Sequence, residues 1–190
     1  MMFGNNPGAR ETVKRIRKNT IGVELGVWRG ESSSLFVQKT KHLHLVDTWS
    51  VAPYKEYSKE MQERYVERYR KLVGSDREED FQKYYDDVYA SVKKKFEGKP
   101  VTVNRMSTNE WFKTFKGTVD WVYVDARHDY DGVLEDLRNC LGVLKKTGII
   151  YGDDYGNKVG VKEAVDQFVK ENDLQFNFNN FWGDQFEIFL

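Results

Sequence analysis

Short apolar runs alternate along this chain with stretches whose apolar residues recur every three or four positions. The runs at 20–27, 42–46, 101–106, 121–124 and 149–152 predict five strands, and two more are expected near 176–181 and 185–190. The 121–124 run is apolar throughout, as in a strand buried on both faces. Helical spacing predicts a short basic helix over 10–18, part of a helix at 35–39, a helix over 132–146 and another over 161–171. In the 132–146 helix the apolar stripe is Val133, Leu137, Leu141 and Leu144. Lys145 and Lys146 suit its C-terminus, and Gly148 suits a stop. Residues 1–8 read as a loose tail. Strands alternating with helices argue for an α/β fold whose parallel sheet is covered on both faces.

One stretch breaks the alternation. Residues 53–98 are dense in charge and tyrosine, with little aliphatic content. Their aromatic residues still recur at helical intervals, so two helices are expected, broken near Gly74-Ser75-Asp76. They form a helical insertion between strands two and three. It can serve as a solvated hairpin over one edge of the sheet, as a lid on a site, or as the surface of a homo-oligomer.

Bulk composition narrows the setting. A length of 190 residues suggests one domain, 1–190, with a single large core. Thirty basic residues balance thirty acidic ones, so no global field draws the chain to nucleic acid or to an anionic membrane. A local basic patch stays open. Cys140 has no second cysteine to pair with and falls in a helical pattern, which suggests buried filler over a nucleophile. No apolar run approaches the roughly 20 residues needed to span a membrane. The first residues carry no secretory apolar region, and a cytoplasmic location is the expectation.

The candidate chemistry lies where the strands end. Ligands of open parallel sheets bind beyond the carboxyl ends of the strands. Those positions here hold Glu24 and Gly26, Asp47, Ser107, Asp125, and Asp153 with Asp154. Buried apolar strands do not need carboxylates at their tips. Gly26 and Gly30 let backbone come close to a ligand, and Asp47 can accept hydrogen bonds from ribose hydroxyls. The dinucleotide pattern G-x-G-x-x-G is not met, since Gly22, Gly26 and Gly30 are spaced by four. Glu24 beside the turn would repel a pyrophosphate and welcome an ammonium group. A ligand with a nucleoside and a positive charge fits better, and S-adenosylmethionine has both.

The turn ELGVWRG resembles motif I of class I S-adenosylmethionine-dependent methyltransferases, with Asp47 in the place of their ribose-binding acid. The segment VDARHDYDGVLEDL, from Val124 to Leu137, is similar to the D-G-D-H-S-Y-E-G-V-x-x-D-L signature of sugar and antibiotic O-methyltransferases related to macrocin O-methyltransferase. Asp125, His128, Tyr130, Gly132, Val133, Asp136 and Leu137 fall on matching positions. The segment KKTGIIYGDDYG resembles that family's K-P-G-G-x-x-x-x-D-D-Y. The resemblance covers roughly 19–49 and 101–170 and leaves out the insertion. Ala126, Arg127 and Lys146-Thr147 depart from the pattern, and Arg127 replaces an acid that could hold a metal.

The resemblance implies a Rossmann-like class I methyltransferase fold: a seven-stranded, mostly parallel sheet with the last strand antiparallel. It implies S-adenosylmethionine held by Glu24, Gly26, Gly30, Asp47, Ser107 and Asp125, with Trp49 or Trp28 stacked on adenine or simply packed. Asp125, Asp153 and Asp154 would hold Mg²⁺ or the acceptor. His128 is the expected general base, with Asp125 beside it. The expected acceptor is a hydroxyl of a small molecule such as a sugar. The rival readings are methylation of a protein or nucleic acid, and a non-catalytic nucleoside-binding or assembly module. His42 and His44 alternate on strand two and read as packing residues.

Overall fold

The computed structural model describes residues 7–56, 58–179 and 184–190. The chain runs α1 (Pro7–Arg15), β1 (Thr20–Leu25), α2 (Glu31–Phe36), β2 (Thr40–Asp47), a 3-10 turn (Ala52–Glu56), α3 (Lys59–Val73), α4 (Glu78–Lys95) and β3 (Val101–Arg105). It continues through α5 (Thr108–Thr114), β4 (Val119–Val124), α6 (Tyr130–Cys140), β5 (Leu144–Gly152), α7 (Val159–Asn172), β6 (Gln175–Asn179) and β7 (Gln185–Phe189). One seven-stranded sheet has the order β3-β2-β1-β4-β5-β7-β6. Strands β1 to β5 are mutually parallel, and β7 runs antiparallel to β5 and β6. The last strand is therefore the antiparallel one, as expected of a class I methyltransferase fold.

Helices cover both faces. On one, α5, α6 and α7 pack Trp111, Val133, Leu137, Val165 and Phe168 against Val23, Val122 and Ile150. On the other, α1, α2 and α4 enclose Leu43, Leu45, Trp121 and Tyr123. Helix α4 buries Phe81, Tyr85, Val88 and Val92, a stripe at helical spacing. Helix α3 buries only Tyr69. Of the two helices expected in 53–98, the second is thus part of the layer covering the sheet, and the first lies outside it.

Several boundaries differ from the expectation. The helix predicted over 132–146 ends at Cys140, because Leu144 begins β5 opposite Val119. Leu141 is 40% exposed, so the apolar stripe had borrowed one surface residue and one strand residue. Helix α5 was not anticipated. Its N-terminus is a capping box, Ser107 with Glu110, and Trp111 is its buried anchor. Pro7 and Gly8 begin α1, while residues 1–6 of the expected tail and positions 180 and 181 of the expected sixth strand lie outside the described residues.

Candidate functional site

The turn after β1 lies between the carboxyl ends of β2 and β4. Gly26 N–H donates to the Val46 carbonyl (2.9 Å), and Asp125 N–H donates to the Leu25 carbonyl (2.8 Å). Gly26 has φ 84°, and a Cβ there would sit 2.1 Å from the Asp125 carbonyl oxygen. Only glycine permits this closure. Gly30, φ 68°, starts α2 with its α-carbon facing the Phe96 ring.

Two tryptophans share an unusual backbone. Trp28 (φ 46°) and Trp49 (φ 41°) both occupy the left-handed region. Their N–H groups converge on Asp47, Trp28 at 2.9 Å on Oδ2 and Trp49 at 2.8 Å on Oδ1. Val27 N–H adds a third bond to Oδ2 at 2.9 Å. Asp47 therefore ties the end of β2 to the glycine turn and holds both strained residues. A carboxylate offers about four acceptor positions, which leaves one on Oδ1.

Four residues expected at the cofactor make other contacts. Trp49 is fully buried, its indole N–H donating to the Trp28 carbonyl (2.8 Å) and its ring 5.1 Å from Tyr89. The packing of α4 over it leaves no face for adenine. Trp28 is half-buried and carries the guanidinium of Arg29 at 4.7 Å and that of Arg68 at 5.8 Å. Glu24 is 1% exposed and accepts a bond from the Ser33 hydroxyl. Burial pushes its carboxyl well above the usual range against the Ser33 bond, and the charges of Asp125 and Asp47 push the same way. Its side chain is closed off from solvent and engaged by Ser33. Ser107 caps α5, accepting from Glu110 N–H at 3.2 Å and donating to its carboxylate at 2.8 Å.

Beyond β4 and β5 three side chains converge. His128 Nε2 lies 2.9 Å from Asp154 Oδ2 and 3.6 Å from Asp125 Oδ1. One ligand atom from each of Asp125, His128 and Asp154 falls within 4.8 Å of the others. Among the described residues this is the one group of three or more that could hold a metal ion. The expected set was Asp125, Asp153 and Asp154. Asp153 instead accepts Asp154 N–H on Oδ1 (2.8 Å) and lies 3.5 Å from the Tyr123 hydroxyl. Asp154 is left-handed (φ 67°), and the successive side chains diverge. His128 takes the place expected of Asp153.

The electrostatics follow from this grouping. Burial lowers the His128 pKa, but the bonds and charges of Asp125 and Asp154 outweigh it and hold the imidazole at about 9. Asp154 is lowered: burial opposes this, and His128 overcomes it. Asp125 is raised, chiefly by burial with help from the charges of Asp154 and Asp47, despite His128. At neutral pH the cluster is an imidazolium between two carboxyl groups. Arg127, the departure from the signature, is held by Asp129 at 2.7 and 2.8 Å and keeps its charge paired locally. Asp129 also caps α6 through Gly132 N–H (3.0 Å).

Sequence reasoning missed several polar side chains buried near the strand ends. Tyr123, fully buried, donates to Gln185 Oε1 (2.9 Å), which also accepts from Thr12 (2.9 Å). Tyr123 sits inside an apolar strand pattern, and nothing local marks its hydroxyl. Tyr54, Tyr69 and Tyr85 join hydroxyls beside the β2 end, with Tyr54 and Tyr85 2.6 Å apart. Cys140 is fully buried, and burial pushes its thiol up, as filler requires. His42 bonds Thr102 (2.8 Å), and the His42 and His44 rings pack 4.7 Å apart.

The family model described as "Methyltransferase domain" matches residues 23–155, from β1 through both acid-bearing turns. The chain belongs to the methyltransferase domain family. Solved structures share the fold of this methyltransferase domain. A Streptococcus mutans protein in complex with SAH is 12% identical with a TM-score of 0.60, covering 96% of this chain and 97% of that one. The O-methyltransferase NovP is 17% identical with a TM-score of 0.57, over 95% and 77% of the two chains. An rRNA methylase from Streptococcus thermophilus is 10% identical with a TM-score of 0.55, over 100% and 96%. No curated protein matches the chain. Among the described residues, no helix of this methyltransferase domain is long and apolar enough to cross a membrane.

Proposed function

We propose that this methyltransferase domain uses S-adenosylmethionine to methylate a hydroxyl oxygen on a small molecule. The observation that carries the reading is the convergence of Asp125, His128 and Asp154 beside the Gly26 turn. The SAH-bound structure of the same fold and the O-methyltransferase among the structural relatives support it.

The residues present fit the cofactor on two counts. The turn at Gly26 leaves no room for a Cβ, and Asp47 keeps one acceptor position for a ribose hydroxyl. When bound, S-adenosylmethionine supplies a methyl carbon already activated by its sulfonium. The chain supplies alignment and a place for the acceptor's proton. His128 is protonated near neutrality, so it orients and donates. Asp125, 27% exposed and raised in pKa, is the better proton acceptor. Two carboxylates and an imidazole also form a donor set suited to a divalent ion of the Mg²⁺ or Mn²⁺ kind. Asp125, Asp154 and a His128 that had given up its proton would hold it, and it would lower the pKa of the acceptor hydroxyl.

Calorimetric titration with S-adenosylhomocysteine, with and without MgCl2, tests the reading. Micromolar binding is expected, weakened roughly tenfold or more by Gly26→Ala, where a Cβ collides with the Asp125 carbonyl. Wild-type protein that binds nothing under either condition would sink the cofactor assignment.

A further inference from the structure

The neutral composition conceals a separation of charge along the strand direction. Strands β1 to β5 are parallel, so their first residues share one edge and their last residues the other. The carboxyl edge carries Glu24, Asp47, Asp125, Asp153 and Asp154, with Arg105 at the end of β3 as a cation among them. The amino edge is basic. Arg17 and Lys18 precede β1, Lys39 and Lys41 flank the start of β2, Lys99 precedes β3, and Lys116 precedes β4. Five of the six are exposed and Lys39 is half-buried. Among the described residues none of the six forms an ion pair with a carboxylate. Lys145, beside them, pairs with Asp120 at 2.6 Å.

Their order in space follows the sheet. Asn19 N–H donates to the Lys39 carbonyl (2.8 Å), and Leu43 N–H donates to the Pro100 carbonyl (2.9 Å). The cations thus run in sequence along β3, β2, β1 and β4, with neighbouring strands about 4.8 Å apart. A shallow groove of about 520 Å³ continues the row beyond β3, lined by Lys93, Lys94 and Lys99 with one acid, Glu97, among them. The helices contribute because those covering a parallel sheet return with their C-termini at this edge, where cations are favoured by the helix dipole. Six unpaired like charges in a row repel one another. A row of anions of similar spacing would relieve that.

We propose that this edge docks the phosphate backbone of a nucleic acid. A linear polyanion can meet every cation of a row that follows a sheet edge. An anionic membrane would draw on apolar side chains as well, and of the exposed large apolar side chains among the described residues only Leu141, just past α6, lies toward this end. The strands are five residues or longer, which puts the edge about 15–20 Å from the acid–histidine cluster. The stretch of polymer docked on the edge is therefore held away from the cluster. The inference stands apart from the methyltransferase reading, since cofactor binding tests one and polymer binding the other.

The test is fluorescence anisotropy with a labelled 20-nucleotide poly-U RNA between 50 and 300 mM NaCl. Six phosphate contacts on a single strand predict a log–log salt slope of about −4, and Lys18→Glu/Lys41→Glu/Lys99→Glu should reduce its magnitude by about 2. The neutral Gln versions at the same positions should give a similar loss of slope with a smaller loss of affinity. They also cover the case in which the Glu triple variant misfolds. A control with the same charge change, Arg64→Glu/Lys71→Glu/Lys83→Glu on α3 and α4, should leave the slope unchanged. Failure of the wild type to bind at 50 mM, equal loss in the control, or binding to phosphatidylserine vesicles without binding to RNA would each overturn the proposal.

Discussion

Asp136 is an acid placed where an acid costs stability. It is 1% exposed on α6, and its Oδ2 has no hydrogen-bond partner. Burial raises its pKa to about 7 against a bond from Thr108; Glu135 and Asp129 add to the rise, and Arg127 opposes it. The unfolded carboxyl ionises near the ordinary value of about 4. Between about 4 and 7 the folded chain binds more protons than the unfolded one, so stability falls as pH rises through that window. Asp136→Asn should flatten this fall and raise stability at pH 8 by up to about 4 kcal/mol. Urea unfolding at pH 5 and pH 8 measures it, and an unchanged pH slope in the variant would assign the effect to other groups. At the same scale, Asp125 and Asp154 were legible as chemistry-bearing residues because each follows a strand, and His128 because it falls on a matching position of the resembled signature. That Asp47 holds two left-handed tryptophans was not legible, since backbone conformation leaves no mark on the residues Trp28 and Trp49.

Elements were read well where periodicity had one source and misread where two sources met. The 121–124 strand is apolar throughout and forms β4 with its ends nearly as expected. The α6 stripe ran on into β5 because a strand that starts with leucine continues a helical spacing by accident. Helix α5 carried a readable Ser-x-x-Glu signal, yet its seven residues are too few for a periodic pattern to stand out. The region 53–98 splits by burial. Helix α3 buries one residue and α4 buries four, so α3 should open without α4. Native-state hydrogen exchange should show α3 amides exchanging roughly tenfold or more faster than those of α4. Equal protection would make the two helices one cooperative unit.

At the scale of the molecule, both apolar clusters lean on one sheet. Val23, Val122 and Ile150 face one helical layer, and Leu43, Leu45 and Tyr123 face the other. Neither layer can lose its helices without exposing the strands that hold the other. Calorimetry should therefore show a single unfolding transition, and Leu45→Ala and Val122→Ala should lower the same midpoint. Two separable transitions would mean that the layers fold independently. The charge separation also belongs to this scale. Thirty cations and thirty anions cancel in a sum over residues, and the parallel strands place six of the cations at one edge and five of the acids at the other.

What the sequence determined by itself is local or periodic: the alternation of strand and helix, the glycine turn, the carboxylates at strand ends and the three motifs in order. These depend on neighbours within a few positions, and a linear reading contains those neighbours. The tertiary structure alone decided which residues meet. It placed His128 instead of Asp153 between Asp125 and Asp154, buried Trp49 beneath α4, turned Glu24 toward Ser33, and aligned cations from four strands. Each of those outcomes depends on strand order, on a left-handed residue or on packing between distant segments, and side-chain identity along the chain does not encode any of them directly.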